Sequence, residues 1–155
     1  MLWTKLPTCW VIRQPTVDDL VGILTIHNEC RKKFKVYRPL IPVDTVVRTI
    51  VDQSYYKVVL EIEGTLHGFI SGFITERDGI RTAVNDAVLV FHHDAHTKVK
   101  AVKHLVSLFL DWADSNHCKR IEFATATGEW KPMQKLLSRF GAEQIGVVME
   151  VKLNG

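Results

Sequence analysis

Residues 82–116 read TAVNDAVLVF, HHDAH and TKVKAVKHLVSLFLDWADSN, and this stretch decides the fold. Its first block, Thr82 to Phe91, ends in the uninterrupted apolar run Ala87-Val88-Leu89-Val90-Phe91. Such a run predicts a strand buried on both faces. The third block places Val99, Val102, Leu105, Val106, Phe109, Trp112 and Ala113 at helical spacing, while Lys100, Lys103, Ser107, Asp111 and Asp114 face away. It predicts an amphipathic helix over Val99–Asn116.

Working upstream, Lys57 to Ile62 is rich in β-branched residues and stops at Glu63-Gly64-Thr65, a turn signal. Leu66 to Thr75 continues as a hairpin partner, with Gly68 and Gly72 marking close packing or a bulge. Arg77-Asp78-Gly79 turns into the Thr82 strand. Further upstream, Trp10 to Ile12 forms a short first strand that Pro15 stops. Thr16-Val17-Asp18-Asp19 has the form of a capping box for a helix running to about Cys30. Pro42 and a cap at Asp44 open a second helix, Asp44–Val51, with Val46, Val47, Ile50 and Val51 on one face. Downstream, Arg120 to Ala126 alternates like a strand, Pro132 to Phe140 is helical with Gly141 as its cap, and Gln144 to Leu153 alternates strictly. The order is β-α-α-β-β-β-α-β-α-β. This predicts an α/β (α+β) domain: one mixed sheet covered by helices.

The chain has 155 residues, 46% of them hydrophobic and 24% charged, as an ordinary globular protein has. No linker, repeat or low-complexity segment divides it, so residues 1–155 read as a single domain. No apolar run reaches the roughly 18 residues that cross a bilayer, and Met1 to Thr8 lacks the apolar core of a secretory signal. Lys plus Arg total 20 against 17 Asp plus Glu, a net charge of +3. That is too weak a surplus to announce nucleic acid. Cys9, Cys30 and Cys118 show no metal-type spacing, and an odd cysteine count predicts a reducing cytoplasmic setting over a disulfide framework.

The element order and several local stretches resemble the GNAT superfamily of acyl-coenzyme A-dependent N-acyltransferases. Ile12-Arg13 to Asp19 is similar to the family's opening strand and cap. Asp111-Trp112-Ala113 followed by Cys118-Lys119-Arg120-Ile121 resembles the end of its cofactor helix and the next strand. Leu136-Leu137-Ser138-Arg139-Phe140-Gly141-Ala142 resembles its last helix and glycine turn. The resemblance implies a mixed, largely antiparallel central sheet with about four flanking helices. It also implies acetyl-coenzyme A as acyl donor and an amine, on a small molecule or a protein, as acceptor.

By the same resemblance, Val88, Leu89 and Val90 lie beside the pantetheine arm, and the loop into the long helix binds the pyrophosphate. Helix N–H groups and the helix dipole favour an anion there. The family loop reads Arg/Gln-x-x-Gly-x-Gly/Ala, and the aligned residues here are Thr97, Lys98, Val99, Lys100, Ala101 and Val102. Lys100 and Val102 stand where the glycines belong, and side chains there obstruct a close approach of phosphate to the backbone. Lys98, Lys100 and Lys103 offer charge in their place, or simply a solvated basic face. For the base that deprotonates the amine, the candidates are Asp86 on the central strand and Glu76 on the preceding one. Leu137 aligns with the tyrosine that protonates the leaving thiolate, and cannot donate a proton.

The His92-His93-Asp94-Ala95-His96 cluster contains zinc-type ligands, but without a fixed helical spacing it reads as a polar strand-to-helix turn and no metal site is expected. His27, His67, His104 and His117 read as scattered surface or helix-edge residues. Arg31 to Arg38 is a basic stretch containing Phe34 and Tyr37, in the region where the family binds acceptors. Trp3, Trp10 and Trp130 exceed what the core needs and predict a homodimer interface. Two functions follow: a divergent N-acyltransferase, or a catalytically silent binding or structural module on the same fold. Small, degenerate members of the family occur in phage and mobile-element genomes.

Overall fold

The computed structural model describes residues 6–32, 40–123 and 130–143. Its strands are β1 (Trp10–Arg13), β2 (Tyr56–Ile62), β3 (Thr65–Arg77), β4 (Ile80–Val90) and β5 (Arg120–Phe123). Its α-helices are α1 (Leu20–Arg31), α2 (Val43–Val51), α3 (Ala95–Ser115) and α4 (Trp130–Ser138), with a 3-10 turn at Val17–Asp19 leading into α1. The strands form one sheet in the order β1-β2-β3-β4-β5, antiparallel throughout except for the parallel β4–β5 pair. The mixed, largely antiparallel sheet with four helices among the described residues is the architecture that the resemblance implies.

The alternation of β2 explains the two layers. Val58, Leu60 and Ile62 point to one face and pack with Ile70, Leu105, Phe109 and Ala113, so α3 covers that side. Val59 points to the other, where it joins Phe69, Ile23, Val46 and Ile50 beneath α1 and α2. Burial on both faces is what a strand with no polar alternation requires. Gly72 is fixed by α3: a Cβ there would run into the Phe109 ring and the Val84 carbonyl oxygen. Arg13 ties β1 to the start of α1, donating to both oxygens of Asp19 at 2.7 and 2.8 Å and to Glu61 at 2.6 Å. Asp19 in turn accepts from the Thr16 N–H at 2.8 Å, so the capping acid is held by two elements at once. No described helix is long and apolar enough to cross a membrane.

Several boundaries move. The long helix starts at Ala95, not Val99, because Asp94 is an effective cap. Val99 is consequently 51% exposed, and the core face of α3 begins at Ala101. Pro42, not Asp44, precedes the first residue of α2, and Asp44 instead pairs with Arg48 one turn on. The last helix is Trp130–Ser138, two residues earlier than its proline suggests, and Gly141 follows it at φ +83°. Trp10 is a core residue and not an interface anchor: it is buried and meets His104 edge-to-face. Trp3, the Trp130 side chain, the Gln144–Leu153 strand and the end of the Arg120–Ala126 strand lie outside the described residues.

Candidate active site

The site begins with a one-residue irregularity in β4. Gly72 pairs with Asn85 and Ser71 pairs with Ala87, leaving Asp86 as the extra residue of a bulge. A bulge bends its strand and re-aims a side chain. Buried Asn85 spans it: its amide nitrogen donates to the Ser71 carbonyl at 2.9 Å and to the Ala87 carbonyl at 3.0 Å. Its Oδ1 is buried without a partner among the described residues. The consequence is that Asp86 turns towards the α1–α2 side, where the Ser71 hydroxyl donates to its Oδ1 at 2.5 Å.

Asp86 faces a cavity of about 200 Å³ between α1, α2 and the sheet. Ser71, His27, Arg31, Thr45 and Thr49 supply its other polar groups, and Ile41, Val46, Phe69 and Ala87 its apolar walls. The Asp86 carboxyl is open to this cavity, yet the surrounding protein withdraws enough water to raise its pKa above the ordinary value. The Ser71 hydroxyl and the backbone N–H groups of Asp86 and Ala87 oppose that rise. His27, whose ring tilts on Phe69 at 5.7 Å, is depressed to about 4 by burial first and by the charge of Arg31 second. It is therefore neutral at pH 7. His27 lies at the half-buried edge of α1, turned towards Phe69, whereas His104, expected with it at a surface or helix edge, is buried. Glu76 is not brought to the cavity. It is exposed beside the β3–β4 turn, opposite Arg81.

The far half of β4 offers main-chain groups. The Phe91 N–H donates to the His67 carbonyl at 2.9 Å, and an antiparallel ladder alternates from there. Phe91, Leu89 and Ala87 therefore bond to β3, while Val88 and Val90 direct their N–H and C=O groups away from it. On that side β5 pairs only as far as Asn85 with Phe123. Among the described residues, Val88 and Val90 thus form an open strand edge, touched by the Cys30 thiol, which donates to the Val90 carbonyl at 3.7 Å. Side chains of Val88 and Val90 pack towards α3, and that of Leu89 packs towards α1.

At the start of α3, Asp94 accepts from the Thr97 N–H at 2.8 Å and from its hydroxyl at 2.6 Å. Those bonds hold the Asp94 carboxyl below the usual carboxylate range. Residues Thr97 to Val102 therefore lie inside the helix and not in a loop before it. Ala101 is wholly buried, Val102 packs on the core, and Lys100 Nζ stands 5.9 Å from the centre of the Trp10 ring. The first-turn donors with no protein acceptor among the described residues are the N–H groups of Ala95 and His96, which the alignment of the glycine loop passed over. Asp94, a good cap three residues before Thr97, was the available signal. The neighbouring histidines form a row: His67 meets His92 at 4.8 Å, and His92 stacks on His93 at 4.4 Å. The His92 Nδ1 accepts from the Asp94 N–H at 3.0 Å, which closes the turn.

No protein-family model matches the sequence, and no curated protein matches it. Solved structures do match in shape. The ribosomal-protein-alanine N-acetyltransferase of Brucella melitensis biovar Abortus 2308 superposes with a TM-score of 0.70 at 18% identity, over 94% of this chain and 99% of that one. Glucosamine-6-phosphate N-acetyltransferase from Arabidopsis thaliana gives 0.66 at 15% identity, over 94% and 99%. A transcriptional regulator from Bacillus halodurans C-125 gives 0.73 at 17% identity, over 93% and 99%. The fold is that of the GNAT acetyltransferases.

Proposed function

We propose that this protein is an N-acetyltransferase that moves an acetyl group from acetyl-coenzyme A to an amine bound in the Asp86 cavity. The observation that carries the reading is the bulge. It aims one partly desolvated carboxylate into a cavity beside a strand edge that, among the described residues, no further strand covers. Acetyl-coenzyme A supplies an acyl thioester, and its amide-bearing pantetheine arm suits the edge formed by Val88 and Val90. Ala95, His96 and Lys98 at the start of α3 suit its phosphates, although Asp94 there is anionic.

The chain's own residues then have separable tasks. Ionised Asp86 takes a proton from the amine, and its raised pKa makes it a stronger base near neutral pH than an ordinary carboxylate. Ser71 fixes the carboxylate by donating to Oδ1. Neutral His27 offers a ring nitrogen without adding a charge that repels an ammonium. Buried Leu137 supplies no proton, so the leaving thiolate takes one from solvent.

A second reading is favoured by Asp94. Its carboxylate and its bond to the Thr97 N–H compete with a pyrophosphate at the helix start, which suits a binding module that has lost the donor. Calorimetric titration with acetyl-coenzyme A decides between them. A dissociation constant below roughly 100 μM, equivalent to more than about 5 kcal/mol, with thiol release on adding amines, is expected for the enzyme. No heat at millimolar ligand leaves the binding module.

A further inference from the structure

The acceptor cavity is more selective than a pocket for amines in general. Asp86 lines it from the bulge of β4, and Arg31 lines it from the last turn of α1, so one anionic and one cationic side chain share about 200 Å³. At roughly 30 Å³ per water, that space holds about seven waters, the bulk of a molecule with six to nine heavy atoms. Thr45, Thr49 and Ser71 add hydroxyls, while Phe69, Val46 and Ile41 wall the middle. A second ammonium in this space would meet Arg31, and no second carboxylate among the lining residues would offset it. That disfavours polyamines and polycationic sugars. A carboxylate beside the amine reverses the sign of the interaction. Guanidinium matches carboxylate in a two-bond fork. Its five N–H donors also let Arg31 keep a contact within the chain while accepting an anion.

We propose that this cavity takes a small α-amino acid as acyl acceptor, with its amine on Asp86 and its carboxylate on Arg31. The inference rests on the acetyltransferase reading only for the chemistry; the binding stands on the cavity alone. His27 reports on it, since the positive field of Arg31 already acts on its ring. A carboxylate seated against Arg31 offsets that field and raises the pKa of the imidazole.

The experiment titrates the full chain, without donor, with glycine, alanine, serine and valine, and with methylamine, ethylamine, ethanolamine and isobutylamine as their counterparts lacking the carboxylate. The His27 ring resonances are followed by NMR, and acetylation of the same eight compounds is measured separately with acetyl-coenzyme A. At least one amino acid is expected to shift the His27 ring and raise its pKa, binding at least tenfold tighter than its amine. Arg31→Gln should remove that preference and Arg31→Lys should restore part of it. If the plain amines bind as tightly, if no amino acid moves His27, or if Arg31→Gln leaves the ratio unchanged, the proposal falls. Acetylation of the plain amines but not of the amino acids also overturns it, while leaving the acetyltransferase reading intact. Amino acids that bind through Arg31 but are never acetylated uphold this site and sink the chemistry.

Discussion

The two halves of the site are built by opposite means. Around Asp86 the groups are tied across elements: buried Asn85 spans the bulge, buried Ser71 donates to the carboxylate, and the cavity walls come from α1, α2, β3 and β4. At the start of α3 the polar groups are exposed and local, with Asp94, Thr97 and the histidine row satisfying the turn from within. Buried donors bonded to acceptors on neighbouring strands hold one geometry. Exposed turns hold theirs weakly and tolerate exchange. The lysine and valine that stand in place of glycines therefore fall on the exposed half, apart from the half proposed for proton transfer.

The sharpest break in this comparison is Asp86→Asn. It preserves shape and the Ser71 contact but removes the base, so kcat/KM should fall by about 10²–10⁴, while acetyl-coenzyme A affinity stays within a factor of two. Steady-state assays with calorimetry on the same preparation check both. A fall of less than threefold would move the base elsewhere. Next in size is Asn85→Asp. Where an amide now donates to two carbonyls, the carboxylate would face them with oxygens alone. The loss of stability should be about 3 kcal/mol, read from urea unfolding, and Asn85→Ser should cost less because it is smaller and uncharged.

The legibility of these halves in the sequence was unequal as well. Strand and helix periods were readable because Val58, Leu60 and Leu105 have to be apolar wherever the layers meet. The apolar run Ala87 to Phe91 marked the central strand, and the resemblance put the acyl site beside it, so Asp86 could be picked out in advance. Its partner Asn85 could not, because an asparagine that spans a bulge looks like any other polar residue in a strand. His27 was missed for a similar reason: one imidazole on a helix edge shows its orientation only when the phase of α1 against β3 is known. Glu76 was the second candidate on paper, behind Asp86, and the register of the hairpin removes it from the cavity. The start of α3 was misplaced because the apolar stripe was followed in preference to the Asp94 cap. A helix start is decided by who accepts its first N–H groups, and apolar spacing says nothing about that.

Asp94→Asn sharpens the weaker half. Asparagine caps a helix about as well as aspartate, so the Thr97 bonds survive and the loss of charge at the helix dipole costs only about 0.3–1 kcal/mol. If Asp94 opposes a pyrophosphate, removing its charge should tighten acetyl-coenzyme A about fivefold, near 1 kcal/mol, with Lys98→Ala and Lys100→Ala shifting affinity the other way. Calorimetry at low and high salt checks this, since the gain should shrink as screening rises. An unchanged affinity in all three variants would place the phosphates away from α3.

The smallest effect is the pH dependence that the Asp86 half contributes. His27 has a folded pKa of about 4, below its ordinary 6.5, so between these values the unfolded chain binds a proton that the folded chain refuses. Stability from this residue is complete above pH 6.5 and is lost progressively as pH falls towards 4. Asp86 acts in the opposite sense: its raised pKa means that the folded chain holds its proton more readily, which favours the fold as pH drops through the carboxylate range. The two partly cancel near pH 4, and the loss between pH 6.5 and 5 is shared by His27 and by buried His104, whose pKa burial also lowers. The share of His27 is of the order of 1 kcal/mol after allowing for the open side of the cavity. His27→Gln should make urea-unfolding stability less steep across that interval, with the part due to His104 remaining, whereas Asp94→Asn should leave it as steep as in the parent. Equal slopes in His27→Gln and the parent would mean that the ring is hydrated in the folded protein, and with it the cavity that Asp86 faces.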